Sequence, residues 1–361
     1  MPLAPLQRST VRRTLARFWD VTRMRPGIAA LAVVTSAGYI ALLTYANTYV
    51  MGLIVDRVQA SPVPSDRVAG VFGPYVLALL LVNAFGQAFS KLQDYAVYKL
   101  QINGNYHLSL LCFDTLSNQS MTFHTSRFGG SLVSQTTRFT SGYSALVDVV
   151  VYSLIPTVAS VVCTFATLAP VVPGYMAILT VLLVAYVAIA THLYHKILPL
   201  AQKGAAAQNR LSGVLSDAVT NILAVKTCGR EDYAQQAREA DSRSMHATMR
   251  RGFTTSTIIT VIMLVVSIFV AGGNAWFGIS AGTLVMMFTY TYQLSMRFNY
   301  INSMMQRINR ALGDAHDMTV ILDEPVLVQD APDAPDLAVH HGAIDFRDLE
   351  FYYTDGDAET P

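Results

Sequence analysis

Apolar residues gather into six runs along the chain, and the polar stretches between them keep helical spacing over unusual lengths. The first run, about residues 27–50, holds no charged residue. About 20 such residues cross a ~30 Å hydrocarbon core, so it predicts a membrane span, with Tyr45 and Tyr49 at the outer interface. Residues 51–70, with Pro62 and Pro64, read as a loop. The second run begins near Val71 and loses its apolar character by Lys91, yet no breaker follows before Gln119. A helix of that length measures roughly 70 Å at ~1.5 Å per residue, so it projects ~35 Å past the membrane. Residues 121–132 then turn, with Gly129 and Gly130 expected to supply the reversal. A returning helix from about Ser131 leads into a third run at 145–168. The remaining runs fall at about 175–193, 253–274 and 283–305, and the last continues as an amphipathic helix to Pro325.

The fourth and fifth runs are separated by a second long polar arm. Within it, Leu211, Leu215, Val219, Ile222, Leu223 and Lys226 recur at three- and four-residue spacing, one face of a helix. Thr227, Cys228, Gly229 and Arg230 break that face, because Gly is a poor helix-interior residue. Glu231, Asp232 and Tyr233 restart an amphipathic run. This predicts a helical hairpin with a short bend at its far end.

Composition supports a membrane class. The chain of 361 residues is 52% hydrophobic and 14% charged, against roughly 25% charge in soluble domains. A net charge of +1 gives no reason to expect a nucleic-acid partner. Cys112, Cys163 and Cys228 are too far apart for a metal knuckle or a disulfide framework. His192 and His195 end the fourth run as interfacial polar residues, since the further ligands a metal would need are absent nearby. Lys and Arg accumulate at the start, in 91–138, in 196–251 and after Met305, whereas loops 51–70, 169–174 and 271–282 hold only Arg57 and Arg67. The positive-inside rule then places both termini and both arms in the cytoplasm of a plasma-membrane protein. Residues 1–26 carry six arginines against Asp20, which predicts an amphipathic helix on anionic lipid.

The run Val219, Asn221, Ile222, Ala224, Val225, Lys226, Gly229, Arg230, Glu231 resembles the second intracellular loop of ABC exporters. Met121, Phe123 and Gly130 are similar to the first loop of the same family. Gln135 and Phe139 depart from it, standing where the family carries Arg and Asp. The order of six spans, two long cytoplasmic hairpins and short outer loops matches the exporter membrane domain over roughly 24–325. The resemblance implies an all-α membrane fold that couples through Phe123, His124, Thr125, Thr227, Cys228, Gly229 and Arg230. It also implies pairing with a second half-transporter, identical or different, and alternating access to a small-molecule, lipid, peptide or siderophore-like substrate. After a linker at 326–340, residues 341–361 alternate apolar and polar positions as a strand does. They resemble the opening strand of ABC ATP-binding domains, where the last aromatic, here Tyr353, stacks on adenine. ATP and Mg would be bound by that domain. No G-x-x-x-x-G-K-[ST] phosphate loop occurs, so the chain is expected to be the amino-terminal part of a longer half-transporter and not to hydrolyse ATP by itself.

Transport chemistry has one conspicuous candidate. Met286, Tyr290, Gln293, Arg297 and Tyr300 share a face of the sixth run, and polar groups inside a membrane usually face protein or a water-filled path. This face is expected to line a substrate cavity, with Arg297 attracting an acidic or phosphate-bearing group; snorkelling of Arg297 to the interface is the competing expectation. Asn83 and Gln87 on the second run are weaker cavity candidates and suit interhelical hydrogen bonds better. An ion-gradient-driven secondary transporter is the alternative function. Such proteins often carry intramembrane carboxylates, and here Asp148 is the one acid placed inside a run.

Overall fold

The computed structural model describes residues 8–127, 129–181, 184, 220–227, 278–326, 342 and 344–350. The expected fifth span, most of the second arm, and Cys228, Gly229, Arg230, His192, His195 and Tyr353 lie outside the described residues.

Every described element is helical. Helix α1 covers Arg8–Arg23. Pro26 opens α2, Pro26–Ile40, at the first helical position, where its missing N–H costs nothing. A π-turn over Ala41–Ala46 passes into α3, Asn47–Ala60. Helix α4 runs unbroken for 50 residues, Val68–Ser117, as the absence of a breaker before Gln119 requires. The short α5, Met121–Thr125, precedes α6, Gly129–Val149. A π-turn at Val150–Leu154 joins α6 to α7, Ile155–Leu168. Helical structure resumes over 173–181. Gly278, at φ +59°, makes the left-handed turn that leads to α8, Ala281–Asn299, and then α9, Ile301–Leu322. Three continuous rods, Pro26–Ala60, Val68–Ser117 and Gly129–Leu168, are long and apolar enough to cross a membrane.

Two boundaries differ from expectation. The predicted loop 51–70 is helix up to Ala60, and coil is confined to residues 61–67. The extension persists because it packs on the start of α8. Gly52 and Gly282 cross so closely that a Cβ on Gly282 would fall 2.1 Å from the Gly52 carbonyl oxygen. Asp56 accepts from the Gly282 backbone N–H at 2.7 Å and from the Ser280 hydroxyl at 2.9 Å. Ser280 in turn accepts from the Thr283 amide. The first turn of α8 is thus capped partly from another helix, which satisfies amides that have no partner within it. Asp56→Ala should cost about 1 kcal/mol, the usual loss of a helix cap, and lower the melting midpoint in detergent by a few degrees. Asp56→Asn, which keeps an acceptor, should melt close to wild type.

The second difference concerns Gly129 and Gly130. They open α6 instead of forming the bend. The reversal is made around α5, where Ser120 caps the Phe123 amide and His124 Nε2 lies 3.0 Å from the Leu116 carbonyl oxygen at the end of α4.

Two buried clusters hold the rods together. The outer one joins Ile40, Tyr45, Leu168, Tyr175, Met286, Met287, Tyr290 and Leu294. The inner one joins Phe18, Val97, Leu100, Leu108, Phe123, Phe139, Tyr143, Met318 and Ile321. Between them the π-turn at 150–154 creates a polar node. In π register the Val151 carbonyl looks to residue 156, which is proline and has no N–H to give. Ser36 Oγ at 2.6 Å and Gln93 Nε2 at 3.2 Å donate to that carbonyl instead, so its otherwise lost bond pins α2 and α4 to the third rod.

Candidate substrate path and coupling bends

The expected cavity face of the sixth run divides along its length. Met286 lies on Gly52, and Tyr290 is wholly buried. The Tyr290 hydroxyl donates to the Tyr45 carbonyl oxygen at 2.8 Å, and the two rings stand 4.6 Å apart. Tyr45 bonds onward to Ser160 and Thr164 of α7, while Tyr175 bonds Thr291. The first half of the face is therefore buried protein interior. Met286 and Tyr290, expected on a cavity wall, are packed in this structure: buried aromatic hydroxyls seek partners, and here the neighbouring spans supply them. The same bonding leaves Tyr45 buried among these helices. Gln293 and Arg297 are half-buried and Tyr300 is exposed. Among the described residues no carboxylate pairs with Arg297. Asp148 receives a 2.7 Å hydrogen bond from Gln101, and Asn83 donates to Asn47 across the α3–α4 seam at 3.1 Å. Periodicity alone could not separate the two halves of the face, because burial there depends on Gly52, a residue on another rod.

The first bend is tightly built. Phe123 is buried in the inner cluster, and the Arg127 guanidinium lies 4.3 Å from its ring centroid. Arg127 also donates to Glu324 at 2.7 Å. His124 and Thr125 are exposed. Of the second bend, the helical turn Ile222–Thr227 is described, with Leu223 77% exposed and Thr227 bonded back to the Leu223 carbonyl.

The amino-terminal helix packs on the protein as well as carrying charge. Its arginines are expected on lipid, but Arg13, half-exposed, and Arg17 pair with Asp323 at the end of α9. Phe18 inserts between α6 and its neighbours, 5.1 Å from Phe139 and 5.4 Å from Tyr143 by ring centroids. Trp19, Arg12 and Arg23 remain exposed. Phe139, a departure from the exporter pattern, is thereby explained: it is fully buried against Phe18, where an unpaired carboxylate would be costly. The adjacent α4–α6 seam is equally tight. Gly104 faces the Tyr143 ring, whose hydroxyl bonds Thr22 at 3.1 Å. Burial raises the Tyr143 phenol above its ordinary range, and it pushes the fully buried Cys112 thiol up to about 12.

The model of the ABC transporter transmembrane region matches residues 28–308. The chain belongs to this family. That membership sets aside the secondary-transporter alternative. The iron-sulfur clusters transporter atm1 of Aspergillus fumigatus mitochondria is 25% identical over 300 residues, covering 78% of this chain and 40% of that protein. The ATM1-type heavy metal exporter of Novosphingobium aromaticivorans is 24% identical over 373 residues, covering 97% of this chain and 59% of that protein. The chain thus spans about half the length of these curated relatives. A solved structure of a bacterial Atm1-family ABC exporter with ATP bound shares the fold, with a TM-score of 0.61 at 20% identity, over 89% of this chain and 57% of that one. Beyond the matched region, residues 344–350 form no strand ladder with any described residue; a strand requires a partner.

Proposed function

We propose that the chain is the membrane half of an ATP-driven exporter. In this reading six spans cross a cell membrane, both termini are cytoplasmic, and two helical hairpins reach toward an ATP-binding domain joined through 326–340. The observation that carries it is the family match over 28–308, together with a 50-residue α4 that outruns any bilayer. Two such halves pair. Support for a second copy comes from the arm of α4, where Tyr95, Tyr98, Ile102, Tyr106 and Phe113 form an exposed apolar stripe beyond the lipid, an arrangement that favours a protein partner. ATP and Mg bind the joined domain, with Tyr353 against adenine. The bends at Phe123–Thr125 and at Thr227–Arg230 dock on that domain, which the exposed Leu223 suits.

For the cargo, the names of the relatives point to metal-bearing species, and an Arg297 with no carboxylate partner among the described residues suits a negatively charged one. Gln293, Arg297 and Tyr300 are the residues we assign to its path. Inside-out vesicles carrying the full-length protein should accumulate an anionic metal chelate when given ATP, and a protonophore should leave uptake unchanged. Uptake that survives ATP depletion and collapses with the ion gradient would refute this reading.

A further inference from the structure

The two acids that follow α9 occupy the unfavourable end of a helix. Carboxylates near a helix C-terminus face the negative pole of its dipole, yet Asp323 is the C-cap of α9 and Glu324 follows it. Each is met by arginine from a different part of the chain. Arg17 of α1 places Nη2 2.8 Å from Asp323 Oδ1, and its guanidinium also donates to the Thr319 and Leu322 carbonyl oxygens at 3.3 and 3.2 Å. Those are carbonyls the helix end leaves without partners. Arg13 Nη1 stands 3.1 Å from Asp323 Oδ2, an ion pair without hydrogen-bond alignment. On the other side, Arg127 bonds Glu324 at 2.7 Å while stacking on Phe123 of the first bend. A Thr14–Thr319 hydroxyl contact at 2.8 Å adds to the hold of α1.

We infer that Asp323 and Glu324 form a two-sided clamp at which the exit of the membrane domain is tied to both the amino-terminal helix and the first bend. Arg127 and Glu324 are positioning residues: through them, movement of the α5 bend and movement of the segment after α9 are delivered as one displacement. The Arg127 and Glu324 side chains are each about a third exposed, and pairs of that kind contribute little to stability. The fold stands without this pair, whereas joint motion of the two segments depends on it. The inference rests on the exporter reading above.

The test measures molecules transported per ATP hydrolysed by the full-length protein in proteoliposomes. Arg127→Glu, Glu324→Arg, their combination, and the neutral Arg127→Gln are compared with wild type. Each single variant should lower the ratio about fivefold or more, the size of a ~1 kcal/mol coupling energy, with its melting midpoint within a few degrees of wild type. The charge-swapped double variant should recover the ratio to within about twofold, which loss of local structure would not produce. If Arg127→Gln and the single reversals keep the wild-type ratio, or the swap restores nothing, the clamp is refuted and the exporter reading stands. If wild type itself shows no ATP-dependent transport, the exporter reading fails and the clamp falls with it.

Discussion

Gly104→Val is expected to leave almost no correctly folded protein in the membrane fraction. A single Cβ at this position would sit 2.0 Å from Tyr143 Cε1 and 2.5 Å from Cζ. The ring has nowhere to retreat, since it is 98% buried, packs edge-on against Phe18 and is bonded through its hydroxyl to Thr22. Ordinary overpacking costs about 1–3 kcal/mol, and valine places three carbons where one already clashes. The seam between α4 and α6 would have to open, which pulls Phe18 and the amino-terminal helix out of the inner cluster. Fluorescence-detected size exclusion should show the variant as aggregate. Combining Gly104→Val with Tyr143→Ala empties the occupied space and should restore a monodisperse peak; if it does not, the clash is the wrong explanation.

Arg297→Ala is expected to cut ATP-dependent uptake of an anionic metal chelate about tenfold, the equivalent of ~1.4 kcal/mol of lost substrate attraction, and to leave uptake of a neutral amphiphile within about twofold. Arg297 is half-buried on the helix after the closed Tyr45–Tyr290 node, with no carboxylate partner among the described residues. A guanidinium held near lipid without a counter-ion attracts an anion more strongly than it would in water. Arg297→Lys keeps the charge and should retain most of the uptake, less whatever depended on the planar fork. An equal, small loss for both cargoes would mean that Arg297 only snorkels.

Features governed by one segment were legible in the sequence. The length of α4 followed from an uninterrupted helical pattern through Lys91, and α1 followed from its amphipathic spacing. What escaped was set by a second segment. The helix through 51–60 persists because Asp56 and Gly52 meet Gly282 and Ser280, some two hundred positions away in the chain. The π-turn at 150–154 is announced only by Pro156, and the Ser36 and Gln93 side chains that complete it come from other rods. The arginines of α1 have the pattern of a lipid-facing helix, and Asp323, which Arg13 and Arg17 meet, lies some three hundred positions further along the chain. Of the candidate path, the pattern placed five residues on one face, but burial of Met286 and Tyr290 was decided by the neighbouring helix. The bend at Phe123 was legible as a motif, whereas its tie to Glu324 was not.

The most direct test of the central claim is ATP hydrolysis in lipid, measured on the full-length protein beside the 361-residue chain. An ATP-driven exporter half predicts magnesium-dependent hydrolysis by the full-length protein and none by the shorter chain, which has no phosphate loop. A full-length protein that inserts, pairs and moves its cargo without hydrolysing ATP would contradict it.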